Sequence, residues 1–206
     1  HNTNLHSKIK KSIPRVFNFP FTPYFSLINK SSLRFFNTLF FLKSRLKSKK
    51  EQQHIYSFFY PLDSIRNWNQ IYGKKGFLQY QCVIPNENAC NIIEKILEKI
   101  SNSGQGSFLS VLKVFGEKKS PGMLSFPQHG TTLALDFPNK GKKLLKLLNE
   151  LDKLVIESHG AIYPAKDSRM SKKTFQTLFP AWQEFSDFID PEFSSSFWRR
   201  VTGVDI

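Results

Sequence analysis

Two cysteines stand in 206 residues, too few for a disulfide framework. Cys82 and Cys90 have no further Cys or His at ligand spacing beside them, so neither a zinc site nor a C-x-x-C redox pair is available. His1, His6, His54, His129 and His159 are scattered and form no H-E-x-x-H pattern. No run of about 18 uninterrupted apolar residues exists, so no segment reads as a membrane-spanning helix. A glycine-rich loop able to cradle a pyrophosphate with backbone N–H groups is also missing. The nearest approach, SNSGQGS at 101–107, reads as a helix-to-strand turn. Finally, the first fifty residues contain no Asp or Glu at all, against 11 Lys or Arg. The sequence starts at His1 rather than Met, and the expectation is a piece of something longer.

What is present is a chain of net charge +14 with 40% hydrophobic and 15% aromatic residues. That is enough apolar side chain to bury a core, and it excludes a disordered polyelectrolyte. The charge is unevenly placed, with +11 on residues 1–50 and +3 on the rest. Eight of the 21 phenylalanines lie in the same fifty residues. From Ser32 to Leu46, Leu33, Phe36 and Phe40, with Leu39, Phe41 and Leu42 less regularly, recur at helical spacing among Arg34, Lys43 and Arg45. That pattern predicts a basic amphipathic helix. Three readings compete for it: contact with an anionic membrane surface, binding of single-stranded nucleic acid, or docking of its aromatics on the same protein. Residues 1–55 are accordingly expected to be a basic, Phe-rich arm or lid, partly disordered, and 56–206 the folded body.

The body has a regular order. Phe77 to Pro85 reads as a strand stopped by proline. Asn86 and Asn88 offer caps for a helix carrying Ala89, Ile92, Ile93, Ile96, Leu97 and Ile100 on one face. Ser107 to Gly116 and Thr131 to Pro138 are further strands. Asn139 is the expected cap of a second helix, with a stripe of Leu144, Leu147, Leu148, Leu151, Leu154 and Val155. Gly160 ends that helix and GAIYPA begins a fourth extended segment. Strand, helix, strand, strand, helix, strand is the split βαβ, ferredoxin-like arrangement. It predicts an α+β fold with an antiparallel sheet covered by helices on one face.

The period of two then sorts the open face. Gln79 and Gln81 point one way, with Leu78, Tyr80, Cys82 and Ile84 the other. Lys113 shares a face with Leu109, Val111 and Phe115, and Asp136 shares one with Thr132 and Ala134. Two amides, an ammonium and a carboxylate can therefore converge on one sheet surface. A solvated or covered sheet face is the competing reading. As an RNA platform the sheet is poor. KKGFLQYQ starts like the aromatic RNA-recognition stretch, but Leu78 and Gln79 break it and it lies on the first strand rather than the third.

Beyond pattern, several blocks carry a resemblance. They are FFYPLDSIRNWNQIYGKKGFLQYQCVIP, SFLSVLKVFG, LSFPQHGTTLALDFP, GAIYPAKDSRMSKKTFQTLFPAWQEF and DPEFSSSFWRR. In this order, from about Tyr56 to Arg200, they resemble the C-terminal part of FAD-dependent sugar oxidases. The likeness is to the decaprenylphosphoryl-ribose oxidase group and, more distantly, to the aldonolactone and alditol oxidases of the vanillyl-alcohol oxidase class. FLQYQ-VIP together with Y-x-AKDSR is a specific combination.

The resemblance implies a two-domain flavoenzyme of which this chain contains the substrate domain. An FAD-binding domain would be supplied in cis or in trans, and the chain alone would be inactive. Hydride transfer to a flavin leaves negative charge near N1 and the C2 carbonyl of the ring, which a fixed cation stabilises. Lys166 matches the family lysine at the reacting centre, and Tyr163 a position that contacts the flavin. Gln79, Gln81 and Lys113 match the substrate pocket, to which Thr132 also belongs by position. Asp167 and Arg169 are expected to hold the loop through a charge-assisted pair. Thr131, Thr132 and Ala134 stand where some members carry Trp, Asn and Cys, which leaves a smaller pocket wall and an undefined sugar. The implied partners are a sugar or lipid-linked sugar, a peripheral membrane contact and a short-chain reductase acting on the keto product, with no nucleic acid. The implied location is cytoplasmic or peripheral to the bacterial inner membrane.

Overall fold

The computed structural model describes residues 16–46, 55, 59–190 and 192–203. Along the chain lie β1 (Phe17–Asn18), α1 (Lys30–Leu46), β2 (Ile65–Arg66), β3 (Phe77–Ile84), α2 (Ala89–Asn102), β4 (Ser110–Phe115), β5 (Gly130–Pro138) and α3 (Lys142–Glu157). They are followed by β6 (Ala161–Ile162), α4 (Lys172–Leu178), α5 (Trp182–Ser186) and α6 (Ser196–Thr202). The main sheet has the order β4-β5-β3-β6 with every pairing antiparallel. Its first and third strands are central, which is the ferredoxin-like topology that the element order predicts.

Helices cover one face because the apolar periods agree. Tyr80, Cys82 and Ile84 of β3 and Leu133, Leu135 and Phe137 of β5 meet Ile93, Ile96 and Ile100 of α2 and Leu144, Leu148, Leu151 and Val155 of α3. Met170, Phe175, Phe179, Trp198 and Val201 extend this core into the C-terminal helices. Those short helices have local stops and starts. Ser171 accepts from the Thr174 amide at 3.1 Å, Ser195 accepts from the Trp198 amide at 3.0 Å, and Gly203 closes α6 at φ 72°.

Four element ends differ from expectation. Asn139 does not cap α3; its Oδ1 accepts from the Gly141 amide at 3.1 Å, and Gly141, at φ 62°, occupies the cap position. Asn88 is the residue before α2 but makes no side-chain cap bond, while Asn86 turns its amide to the His129 ring at 2.9 Å. β4 starts at Ser110 rather than Ser107, because the Ser107 hydroxyl itself accepts the Asp136 amide of β5 at 2.8 Å. The fourth extended segment is only two residues long, since Pro164 cannot donate to a ladder and opens a 3₁₀ turn, Pro164–Lys166.

The N-terminal segment divides in two. Residues 17–28 lie against residues 65–74: β1 and β2 pair in parallel, the Leu27 amide donates to Ile71 O at 3.0 Å, and Ile28 is buried. By contrast, α1 buries none of its residues. Docking on the same protein therefore describes residues 17–28 and, in the helix, only its first two turns, where Leu33 lies over Gly106 and Phe36 meets Phe108. The expectation of partial disorder falls largely on residues 1–15 and 47–54, outside the described residues. No described helix is long and apolar enough to cross a membrane, and no group of three or more metal-ligating side chains occurs among the described residues.

Candidate functional site

The face of the sheet away from the helices carries the predicted polar set. Register places Gln79 opposite Asp136, Gln81 opposite Ala134 and Val83 opposite Thr132; on the other side of β5, Lys113 stands opposite Thr132 and Val111 opposite Ala134. Opposed residues share a face, so Gln79, Gln81, Thr132, Asp136 and Lys113 occupy one surface.

Hydrogen bonds fix how the two amides point. Thr132 Oγ1 donates its single proton to Cys82 O at 2.8 Å, so it must accept at its lone pairs from Gln81 Nε2 at 3.1 Å. Gln79 Nε2 donates to Asp136 Oδ1 at 3.0 Å, as an acceptor-only carboxylate requires. Both glutamines thus commit their NH₂ ends to β5 and keep their carbonyl oxygens for another donor.

Asp136 is 3% exposed, and its second oxygen, Oδ2, has no hydrogen-bond partner. Burial raises its pKa, opposed by the Gln79 bond and by the nearby Lys166 charge. The Tyr72 hydroxyl is buried and unpaired, and burial together with Asp136 pushes its pKa up. Tyr72 belongs to an aromatic corner at this end of the sheet, its ring stacked on Phe77 at 4.5 Å with Trp68 beside both. The opposite end has a second aromatic wall, in which Phe126 stacks on Tyr163 at 4.7 Å and meets Phe115 edge-on at 6.1 Å. Val83 and Ala161 lie beneath it.

Lys166 is placed by the chain that follows β6. The Tyr163 amide donates to Gln81 O at 2.8 Å, and the 3₁₀ turn that begins at Pro164 brings Lys166 within the field of Asp136. Half-buried, Lys166 donates its backbone amide to Tyr163 O at 3.2 Å, while its ammonium makes no hydrogen bond or ion pair among the described residues. Its sequence neighbour Asp167 is not its partner. Asp167 Oδ1 accepts from the Arg169 amide at 2.9 Å, and Oδ2 is engaged by the Arg200 guanidinium. Arg169 in turn grips Asp152 of α3 with two bonds of 2.8 Å. Both residues hold the loop, as expected, but their side-chain charges pair with Arg200 and Asp152, and the bond between them comes from the Arg169 backbone amide. Lys113 is exposed at the margin of the face.

The chain is similar to known oxidase sequence. It is 37% identical over 199 residues to decaprenylphosphoryl-beta-D-ribose oxidase of Mycolicibacterium smegmatis, covering 94% of this chain and 42% of that protein. The resemblance read from FLQYQ-VIP and Y-x-AKDSR therefore extends over nearly the whole chain. A second relative, an uncharacterised protein encoded in the mprA 5' region of Streptomyces coelicolor, is 30% identical over 133 residues, 62% of this chain and 35% of that protein. The chain spans less than half the length of either relative. No protein-family model matches it.

The donor set fits part of a flavin. Lys166, a cation with no ion-pair partner, and the Tyr163 ring suit the anionic edge and the face of an isoalloxazine. The pyrophosphate has no counterpart among the described residues. The 101–107 turn is overlain by α1, where a Cβ on Gly106 would collide with the Leu33 side chain. Asp136, Tyr72 and Phe126 are site elements that residue types alone did not single out. Alternation put Asp136 on the correct face, but nothing in the sequence showed that residues 68–77 would bury it. Phe126 sits in an irregular loop with no periodic signal.

Proposed function

We propose that this chain is the substrate-binding, C-terminal part of an FAD-dependent oxidoreductase that oxidises a secondary alcohol of a sugar, with a ribose in polyprenyl-phosphate linkage as the favoured substrate and an aldonolactone as the alternative. The observation that carries this reading is the juxtaposition of Lys166, without an ion-pair partner, with two glutamine carbonyls on an open sheet face. The identity to a ribose oxidase over most of the chain supports the same substrate class.

Bound FAD supplies the hydride acceptor, and the FAD-binding domain comes from outside the described residues. Tyr163 and Lys166 are the residues that would hold the ring, Lys166 stabilising negative charge as the carbinol carbon gives up its hydrogen as hydride and the hydroxyl releases its proton to water. The Gln79 and Gln81 carbonyl oxygens, held outward by Asp136 and Thr132, accept hydrogen bonds from sugar hydroxyls. Lys113 at the margin meets the phosphate. The product is a keto sugar, so a carbonyl reductase of the short-chain type is the reaction partner that its chemistry calls for.

The test is Lys166→Ala in the complete enzyme. We expect FAD still to bind, seen by its visible spectrum, while flavin bleaching on mixing with substrate under anaerobic conditions slows by a factor of about 10² or more, the range for losing one such electrostatic group. Wild-type bleaching rates in the variant would remove Lys166 from the reaction.

A further inference from the structure

Helix α1 is joined to the body at its start and unpartnered beyond it. Asn29 caps it, its Oδ1 accepting from the Ser31 and Ser32 amides at 3.0 and 3.1 Å while its own amide donates to Ser32 Oγ at 3.0 Å. The first two turns touch the body through Leu33 over Gly106 and Phe36 against Phe108 at 5.5 Å. The polar side of the same turns, with Lys30, Arg34, Asn37 and Thr38, lines a cleft of about 630 Å³ against the end of α2. At 100° per residue the arc turned away from these contacts collects Phe35, Leu39, Leu42 and Leu46, while Phe40 falls between Leu33 and Phe36 and stacks on Phe36 at 6.2 Å. The four arc residues are 67, 50, 50 and 89% exposed. An apolar arc of this size held outward on an ordered helix is uncommon on a protein surface without a partner.

Charge identifies the partner. Lys43 and Arg45 lie in the last turn, and no acidic residue occurs anywhere in positions 1–50, which carry +11. Lys43 borders the apolar arc, from which a long aliphatic stem lets an ammonium reach an anionic headgroup while its neighbours enter the acyl boundary. Nucleic acid fits less well. Leu39, Leu42 and Leu46 make up more than half of the arc and offer no ring on which a base can stack.

We infer that α1 docks this protein onto an anionic lipid bilayer, lying in the plane of the interface with Phe35, Leu39, Leu42 and Leu46 among the acyl chains. The inference does not rest on the oxidase reading, since it uses none of the sheet-face residues and requires no flavin.

The experiment is co-sedimentation of the full chain with vesicles of phosphatidylcholine, alone or with one part in three phosphatidylglycerol. We expect binding to the anionic vesicles that weakens steeply with salt, and little binding to the neutral ones. The double variant Phe35→Ser, Leu39→Ser keeps every charge and should lower the anionic-vesicle partition coefficient at least tenfold. Because α1 buries none of its residues, the circular dichroism melting curve of that variant should match the wild type, which separates lost docking from lost folding. No binding to anionic vesicles, or equal binding by the double variant, overturns the inference. So does binding to a single-stranded oligouridine that competes the chain off the vesicles and is equally sensitive to the two substitutions.

Discussion

Gln79 and Asp136 face each other across the β3–β5 ladder, joined by a 3.0 Å bond from the glutamine Nε2 to one oxygen of a carboxylate whose other oxygen is buried and unpaired. This pair turns an amide carbonyl toward the open face and leaves an ionised group in a costly position. Two consequences follow from the same geometry. Asp136→Asn can present its own NH₂ group to Gln79, which releases the glutamine to flip. In the complete enzyme the variant should raise KM with a smaller change in kcat, because it loosens substrate positioning and leaves Lys166 in place.

The pH dependence of stability has a definite sign. Burial raises the Asp136 pKa above its ordinary value of 3.8, so the folded state binds this proton more tightly than the unfolded state. The cost of ionising Asp136 is absent below the unfolded pKa, grows as pH rises through the raised folded value, and is constant above it. Asp136→Asn should therefore stabilise the fold more at pH 7.5 than at about pH 3.5, below the ordinary aspartate value. Urea titrations at the two pH values read the difference, and an equal effect at both would show that the carboxylate carries no such cost.

Arg169 and Asp152 form a bidentate pair whose side chains are 14% and 9% exposed. Removing one partner strands the other charge, so Arg169→Ala should cost about 3 kcal/mol in a urea titration. Replacing both, with Arg169→Met and Asp152→Leu, should recover most of that loss, because no buried charge is then left unpaired. An additive double variant would show that the pair is not coupled.

The two cysteines should separate cleanly. Cys82 is buried under the helices and its thiol is pushed up to about 12 by burial, whereas Cys90 is exposed on α2. A maleimide should modify one thiol in the native protein and two in urea, with mass spectrometry locating the native label at Cys90. Native labelling at Cys82 would mean that the β3–helix packing opens readily.

Gly130 opens β5 where a Cβ would strike the Ile84 carbonyl of the neighbouring strand. Gly130→Ala should push β5 away from β3 at the start of their ladder and destabilise the protein by about 2 kcal/mol, the scale of overpacking in a close-packed interior. Thermal melting of the variant reads the loss. An unchanged midpoint would show that the strand ends separate freely.

By itself the sequence determined the element order, the apolar stripes of α2 and α3, the alternation that puts Gln79 with Gln81 and Thr132 with Asp136 on one side of their own strands, and the short basic helix in the arm. These follow from periodicity, which is a local property of the chain. Tertiary structure alone decided what each group meets. The burial of Asp136, the pairing of Asp167 with Arg200 rather than with Lys166, and the stacking of Phe126 on Tyr163 each join residues far apart in sequence or lie in irregular loops, where no period exists to be read. The same holds for the N-terminal segment, whose residues 17–28 pair with the body while α1 turns its apolar arc away. Composition supplied the phenylalanine and leucines of that arc, but only the placement of the first two turns against Gly106 and Phe108 set the direction in which they face.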